Sequence, residues 1–293
     1  PIPSARLVIA DTAATRRPAW RARITSGTVL MPTASAPSVR KARISAGVSK
    51  LGPAVRSRRL NPVPPSAVLF VAVPGATNAS IAIHSAKYDS VPLVLLVGQV
   101  ARAARGRETS QELDYAQFFG GIAKWVIEIN DARQVPHIIS RAFHIARSGR
   151  PGPVVVSLPR DMLEEDAKIS MIDPHPAVRP NADPKLIEDM VGRITAARKP
   201  VLVVGSGTQY SGARQELIDF AEKFQLAVLT SYKRQDAFPN SHPNYIGNLA
   251  NANKHARAVI SNEADLLVVI GSRLNQQTTG GFSWPRPGQP FIQ

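Results

Sequence analysis

Three glycine-containing segments of this 293-residue chain could bind a phosphate-bearing ligand. They lie at 74–78 (Pro-Gly-Ala-Thr-Asn), 205–207 (Gly-Ser-Gly) and 271–273 (Gly-Ser-Arg), and each follows a run of apolar residues. Glycine lets a backbone approach a ligand closely, and the first turn of a helix presents unpaired N–H groups to an anion. The segment at 205–207 lacks the G-x-G-x-x-G spacing of dinucleotide sites, because the next glycine is Gly212.

The apolar runs predict the elements that must position these segments. From Ser66 onward they alternate with helical patterns, which indicates parallel sheets covered by helices on both faces. We predict strands at 67–73, 93–97, 124–129, 154–158, 200–204, 226–230 and 266–270, and helices at 79–86, 111–119, 133–147, 185–197, 213–224 and 253–260. The predicted fold class is α/β, with two doubly wound parallel-sheet domains, of which the first is incomplete. The glycine segments then follow the carboxyl ends of strands, where open α/β sheets bind ligands.

Charge separates an N-terminal segment from the rest of the chain. Of the net charge of +15, residues 1–66 hold 12 Lys and Arg against a single acid, Asp11, so the remaining residues are nearly balanced. This basic segment is rich in Pro, Ala and Ser and has no helical or strand periodicity, so we predict that it is poorly structured or non-native, with a transit peptide as the alternative. The other predicted parts are a first domain at 67–160, a linker at 161–184 whose acids at 161–166 are solvated, and a second domain at 185–293, truncated at its C-terminus.

Composition excludes several classes of protein. The chain has no cysteine, which excludes a disulfide framework and a thiolate metal site. Its longest apolar runs, such as 91–97, are much shorter than a bilayer span, so we predict a cytoplasmic protein that does not contact a membrane. His137 and His144 share a predicted helix face without nearby carboxylates, so we interpret them as packing or surface residues and predict no metal site.

Six short motifs follow one another in the first predicted domain. They are 74–78, 89–93 (Asp-Ser-Val-Pro-Leu), 97–100 (Val-Gly-Gln-Val), 111–114 (Gln-Glu-Leu-Asp), 123–125 (Ala-Lys-Trp) and 148–154 (Ser-Gly-Arg-Pro-Gly-Pro-Val). In this order they resemble the pyrimidine-binding domain of thiamine-diphosphate-dependent enzymes, and the acetolactate synthase group most of all. Residues 185 to about 281 resemble the central domain of the same family, which in acetolactate synthases also holds FAD.

The resemblance implies cofactors, partners and a set of site residues. It implies thiamine diphosphate with Mg²⁺, FAD, a 2-keto acid substrate such as pyruvate, and a homodimer or homotetramer whose active sites are shared between subunits. The implied site residues are Gly75, Thr77 and Asn78 near the aminopyrimidine, Gln111 as the catalytic residue on the substrate side, and Arg150, Gly247, Asn248, Gly271 and Arg273 along the flavin. Arg160 stands where the group has a lysine.

The sequence departs from the family pattern at three places. The family places an activating glutamate some tens of residues before the 74–78 motif, but the first glutamate of this chain is Glu108. The Gly-Asp-Gly motif that holds Mg²⁺ and the diphosphate is absent, since the chain contains no Gly-Asp pair. After Arg273 the chain lacks the acidic pattern of the synthases, which leaves a non-flavin relative as an alternative.

These observations lead to one main hypothesis and two alternatives. The main hypothesis is a fragment of a thiamine-diphosphate-dependent enzyme that acts on 2-keto acids by carboligation or decarboxylation and is inactive alone. The first alternative is a non-catalytic module that binds a nucleotide or dimerises. The second is nucleic-acid binding through the basic segment at 1–66, which the balanced charge of the remaining chain disfavours.

Overall fold

The structure is a computed structural model that describes residues 21–22, 68–71, 73–170, 172–173, 181–250 and 253–293. The described residues divide into two compact units, one formed by 21–22 with 68–173 and the other by 181–293. The predicted basic segment at 1–66 lies outside the described residues, except for a short strand, β1 (Arg21–Ala22). Residues 171 and 174–180 of the predicted linker also lie outside them.

The first unit is built on a parallel sheet of four strands in the order β2-β3-β5-β4. After β1, its elements in chain order are β2 (Val68–Val71), α1 (Val73–Asn78), α2 (Ser80–Asp89), β3 (Leu93–Gln99), α3 (Tyr115–Gly120), β4 (Trp125–Glu128), α4 (Val135–Arg147), β5 (Pro153–Pro159), α5 (Arg160–Leu163) and β6 (Ala167–Lys168). The strand β6 pairs with β1 in an antiparallel ribbon.

Helices cover both faces of this first sheet. Successive residues of a strand point to opposite faces, so Leu95 and Val97 of β3 join the buried cluster that contains Ile83 of α2 and Phe119 of α3. Their neighbours on β3 join a separate cluster that contains the buried side of α4. The first unit is therefore doubly wound, which confirms the predicted α/β fold class.

Lys124 fixes the C-terminal end of α4. Its Nζ donates to Ile145 O at 2.5 Å and to Ser148 O at 2.7 Å, so it satisfies carbonyl groups near the helix end. A side chain at Gly152 would meet the stem of this lysine, because a Cβ there would lie 2.9 Å from Lys124 Cδ. Burial, and next the nearby charge of Arg150, lower the pKa of Lys124 below its ordinary value.

We expect Lys124→Met to lower the free energy of unfolding by about 1 kcal/mol, because the carbonyls near the end of α4 lose a charged donor. Between the lowered pKa of Lys124 and its ordinary value, the folded chain binds fewer protons than the unfolded chain. The stability of the wild type should therefore rise with pH across this interval, and the variant should lose that rise. Urea titrations at several alkaline pH values measure both effects, with the exposed Lys185→Met as the control. Equal pH slopes in the wild type and the Lys124 variant would contradict the prediction.

The second unit is built on a parallel sheet of five strands in the order β11-β10-β7-β8-β9. Its elements in chain order are α6 (Pro184–Ala196), β7 (Pro200–Val204), α7 (Ser206–Ser211), α8 (Arg214–Lys223), β8 (Ala227–Thr230), β9 (Tyr245–Asn248), α9 (Lys254–Ala258), β10 (Leu266–Ile270) and β11 (Phe291–Ile292). The residues Val259–Glu263 continue α9 as a π-helical turn. One face of the sheet packs on α6 and α8, and the other on α9 and Trp284, so this unit is also doubly wound.

The structure differs from the predicted elements at the glycine segments. The turn expected at 74–78 is the short helix α1, because Pro74 occupies a first-turn position, where it loses no helical hydrogen bond, and Ala79 N donates to Gly75 O at 2.9 Å. Likewise, the segment at 205–207 is helical after its first residue, because α7 begins at Ser206. The strand β9 lies between the predicted strand at 226–230 and the predicted helix at 253–260, where the polar sequence predicts a loop. Among the described residues, none of the helices combines the length and apolar character that crossing a bilayer requires.

Candidate functional site

The predicted aminopyrimidine residues and Gln111 lie at the same edge of the first sheet. Gly75, Thr77 and Asn78 belong to α1, which follows the carboxyl end of β2, and Gln111 belongs to the connection that follows the carboxyl end of β3. Because β2 and β3 are adjacent and parallel, both connections leave the sheet at neighbouring positions. Thr77 Oγ1 donates to Pro74 O at 3.0 Å, whereas the side chain of Asn78 is exposed.

The connection at 100–114, which we name the Gln111 loop, is held by hydrogen bonds to the sheet and within itself. Gln99, at the end of β3, donates from Nε2 to Leu113 O at 2.7 Å and accepts from Val100 N at 3.0 Å. Gly106 N donates to Glu112 Oε1 at 2.7 Å across the loop. Gln111 itself is exposed and has a φ of 70°, a left-handed conformation uncommon for residues other than glycine. The helix predicted to start at this residue begins at Tyr115, and Asp114 caps it.

Arg102 joins the Gln111 loop to two other connections at the carboxyl edge of the first sheet. Its backbone N and its Nε donate to the two carboxylate oxygens of Asp161, at 2.9 and 2.8 Å. Its terminal nitrogens donate to Glu165 and to the carbonyl of Asn130. The interpretation of 161–166 as solvated acids is therefore wrong for Asp161 and Glu165, which are bound by an arginine distant in sequence.

This arginine changes the protonation of its partner. Burial alone would raise the pKa of Asp161, but the hydrogen bonds and positive charge of Arg102 outweigh it and bring that pKa below its ordinary value. The carboxylate form of Asp161 is therefore favoured in the folded chain. Glu165 extends the same contact, because its Oε2 accepts from Ala132 N at 3.3 Å.

A second polar group lies beneath the Gln111 loop on the face covered by α2 and α3. Ser157 Oγ of β5 donates to Glu128 Oε2 of β4 at 3.0 Å, and the other oxygen of Glu128 pairs with Arg105. Tyr115 is buried, and its hydroxyl donates to Gly98 O at 2.9 Å. Burial, and next the negative charge of Glu128, raise the pKa of Tyr115 to about 12.

We expect Tyr115→Phe to lower the free energy of unfolding at neutral pH by about 1 kcal/mol, because Gly98 O loses its buried donor. In the wild type, Tyr115 stays protonated in the folded chain above the pH at which an unfolded tyrosine ionises. Its stabilising effect should therefore be full below about pH 10 and be lost as the pH rises towards about 12. Alkaline titration followed by tyrosinate absorbance measures the pKa of Tyr115, as the difference between the titration curves of the wild type and of Tyr115→Phe. The prediction fails if that difference titrates near the ordinary tyrosine pKa.

Arg150 lies at the opposite edge of the first sheet. Its Nε donates to Ser90 Oγ at 2.9 Å and a terminal nitrogen donates to Lys87 O at 2.5 Å, so it binds the C-terminal end of α2 just before the start of β3. The structure therefore does not bring Arg150 together with Asn78 and Gln111. Its predicted flavin contact stays a prediction, and its observed contacts are with its own unit.

The two other glycine segments meet at the carboxyl edge of the second sheet. The strands β7 and β10 are adjacent, and the chain winds away from them in opposite directions, which is the position where doubly wound sheets bind ligands. Here, however, the two connections contact each other. Gly207 N donates to Gly271 O at 2.9 Å, and a Cβ at Gly205 would lie 2.4 Å from Gly271 O. These glycines are required by the contact between the two connections, whether or not a ligand binds.

Asn248, one of the residues predicted to contact flavin, has a buried side-chain oxygen that a ligand could satisfy. It ends β9, and its Nδ2 donates to Thr230 O, Thr230 Oγ1 and Ser231 O at 2.9 to 3.2 Å. Its Oδ1 is buried and accepts no hydrogen bond within the described part of the chain. The glycine at position 247 is explained without a ligand, because a Cβ there would lie 2.8 Å from Asn253 Nδ2. Arg273 is half-buried and follows β10, which two strands, β7 and β8, separate from β9 in the sheet order.

Two family models match this chain. The model described as "Thiamine pyrophosphate enzyme, N-terminal TPP binding domain" matches residues 54–118, and that described as "Thiamine pyrophosphate enzyme, central domain" matches residues 187–293. The first match includes α1, the whole Gln111 loop and the start of α3. The second match includes the whole sheet of the second unit. The resemblance inferred from the six motifs is therefore confirmed at the level of the family.

Similar curated proteins are acetolactate synthases. The chain is 33% identical to the isozyme 3 large subunit of Escherichia coli over 222 residues, which are 74% of this chain and 39% of that protein. It is 35% identical to the large subunit of Corynebacterium glutamicum over 225 residues, 75% of this chain and 36% of that protein. The chain thus spans less than two fifths of the length of these relatives. It belongs to the thiamine pyrophosphate enzyme family, as a chain with an N-terminal TPP-binding domain and a central domain similar to those of acetolactate synthase large subunits.

Proposed function

We propose that this chain supplies the aminopyrimidine side of a thiamine diphosphate site in a protein that acts on a 2-keto acid such as pyruvate. The observation that carries the proposal is the placement of α1 and the Gln111 loop on the carboxyl ends of adjacent parallel strands, within a domain that matches the TPP-binding model. We further propose that the intact family member to which these domains belong is a cytoplasmic homodimer or homotetramer, in which two subunits complete each site.

The residues at this edge suit binding and orientation. Asn78 and Gln111 present exposed side-chain amides, and Gly75 offers backbone without a side chain in the first turn of α1. When bound, thiamine diphosphate supplies the nucleophilic carbon that adds to a keto group. In this proposal α1 positions the aminopyrimidine ring, and Gln111 donates to or accepts from the 2-keto acid. Upstream of Pro74 the only acid is Asp11, which lies outside the described residues, so we assign no proton transfer to this edge.

Calorimetric titration of the full chain with thiamine diphosphate and Mg²⁺ tests the proposal. We expect saturable binding that weakens in Asn78→Ala and is unchanged in Gln117→Ala, an exposed glutamine of α3. Gln111→Ala should keep the cofactor affinity of the wild type but lose the response to added pyruvate. The proposal is wrong if the wild type shows no saturable binding, or if the Asn78 variant binds as tightly as the wild type.

We also propose that FAD binds at the carboxyl edge of the second sheet, beside β8 and β9. The support is Asn248 Oδ1, a buried acceptor that an N–H or O–H of the cofactor would satisfy. The glycine segments at 205–207 and 271–273 give no such support, because they contact each other. The visible absorbance of flavin retained by the full chain after desalting tests this proposal. Asn248→Ala should lose the flavin, whereas the exposed Asn262→Ala should retain it. A flavin-free wild type after incubation with FAD would contradict it.

A further inference from the structure

A second polar site lies in the first unit, along α4. A cavity of about 280 Å³ is lined by four residues of α4 and by Ile172. The four residues are His137, Ser140, Arg141 and His144, which recur at helical spacing along one side of α4. The buried side of the same helix is formed by other residues, including Ile139, Ala142 and Ala146.

The polar groups of this cavity are matched to an anion. A guanidinium, a hydroxyl and two imidazoles can all donate hydrogen bonds, and no carboxylate is among the lining residues that the structure describes. Arg102, Arg105 and Arg133 each pair with a carboxylate, but Arg141 forms no ion pair within the described part of the chain. Its Cζ instead lies 4.8 Å from the centroid of the Trp125 ring, which holds the planar guanidinium in one orientation.

Ser140 provides an independent observation. Its Oγ is buried and has no hydrogen-bond partner in the described part of the chain. A buried hydroxyl without a partner destabilises a protein, so such groups normally find an acceptor. Ser140 and Arg141 both line the cavity, so an acceptor bound there beside Arg141 would also be near this hydroxyl.

We propose that this cavity binds a phosphate group, either free or as a small phosphomonoester. Its volume of about 280 Å³ is far above what a single water molecule needs, so a phosphate and a short substituent have room in it. Arg141 supplies the fixed charge and a donor geometry that suits phosphate oxygens. Ser140 supplies a neutral donor, and the imidazoles of His137 and His144 line the remaining polar side of the cavity.

Calorimetric titration of the full chain with inorganic phosphate, glycerol 3-phosphate and pyruvate tests this site independently of thiamine diphosphate. We expect saturable binding of one or both phosphate compounds, with an affinity about tenfold lower in Arg141→Gln and about fivefold lower in Ser140→Ala. Arg133→Gln is the matched control, because that arginine precedes α4 and already pairs with Asp131. Binding of free phosphate alone indicates the free ion, and tighter binding of glycerol 3-phosphate indicates a monoester; both results support the site.

Two variants, of which Arg141→Lys is new, keep the test valid if Arg141→Gln disturbs packing on Trp125. Arg141→Lys retains the charge and should bind phosphate with intermediate affinity. Ser140→Ala suits a helix, so its loss of affinity would not reflect misfolding. The proposal is overturned if neither phosphate compound binds saturably, if pyruvate binds and phosphate does not, or if Arg141→Gln and Ser140→Ala both bind phosphate as tightly as the wild type.

Discussion

Gly205→Ala should destabilise the second unit by about 3 kcal/mol, the upper end of what overpacking usually produces. The new Cβ would lie 2.4 Å from Gly271 O and 2.4 Å from Ser272 Cα, and both of these are backbone atoms that cannot rotate away. The backbone of Gly205 has a φ of −125°, which alanine adopts without strain, so the effect comes from the contact alone. Urea titration read by amide hydrogen exchange in β7 and β10 measures the loss.

Gly192→Ala is the matched control for this substitution. Gly192 lies inside α6, and a Cβ there would have no heavy atom within 4 Å, so alanine should stabilise the chain by about 0.5–1 kcal/mol. Opposite signs for the two glycine variants would establish that the contact between the connections determines the effect. A Gly205 variant as stable as the wild type would show that the connection after β10 can move away.

Arg102→Met should release three connections of the first unit together. The variant loses the side-chain donors to Asp161, Glu165 and Asn130 O, which lie after β5 and β4, and keeps only the backbone N–H that donates to Asp161. We expect amide hydrogen exchange to become faster at 100–104, 130–132 and 161–165, and to stay slow in the strands β3 and β5. Arg133→Met is the control, because that arginine is more exposed and its ion pair in the described part of the chain is with Asp131, two residues away. Exchange confined to 100–104 would contradict the joint role of Arg102.

The same pair makes the carboxyl edge of the first sheet sensitive to acid. Because Arg102 keeps the pKa of Asp161 below its ordinary value, the folded chain binds fewer protons than the unfolded chain between those two values. The stabilising contribution of Asp161 is therefore present at neutral pH and is lost as the pH falls through the lowered pKa. Arg102→Met should weaken this part of the acid dependence, because the guanidinium is lost and only backbone donors to Asp161 remain, and urea titrations between neutral and acidic pH would measure the change.

The sheets could be predicted from sequence because their strands are buried on both faces. Runs such as those that form β3, β7 and β10 are continuously apolar, and their observed bounds agree closely with the predicted ones. The strand β9 (Tyr245–Asn248) was missed because it lies at the edge of its sheet, is half-buried throughout, and contains a glycine and an asparagine. Its composition is that of a loop, and its strand conformation depends on pairing with β8.

The site was predictable only where a motif is contiguous in sequence. The motifs at 74–78 and 111–114 were found as short runs, but Arg102 and Asp161 are 59 residues apart, so no local pattern connects them. One signal could have found this pair: both residues follow the carboxyl ends of strands that the α/β pattern places in one sheet. In β3 and β5 those ends are in register, since Gln99 is opposite Pro159.

The interlocked glycines of the second unit affect how its variants should be interpreted. Gly205, Gly207 and Gly271 each lack room for a methyl group because of a neighbouring backbone, so substitutions at all three will be selected against even in a chain that never meets a cofactor. Insertions after β7 or β10 will succeed only when both connections change together. In a saturation mutagenesis screen for flavin retention, the informative position is Asn248, where substitution can remove a ligand contact without forcing two backbones apart.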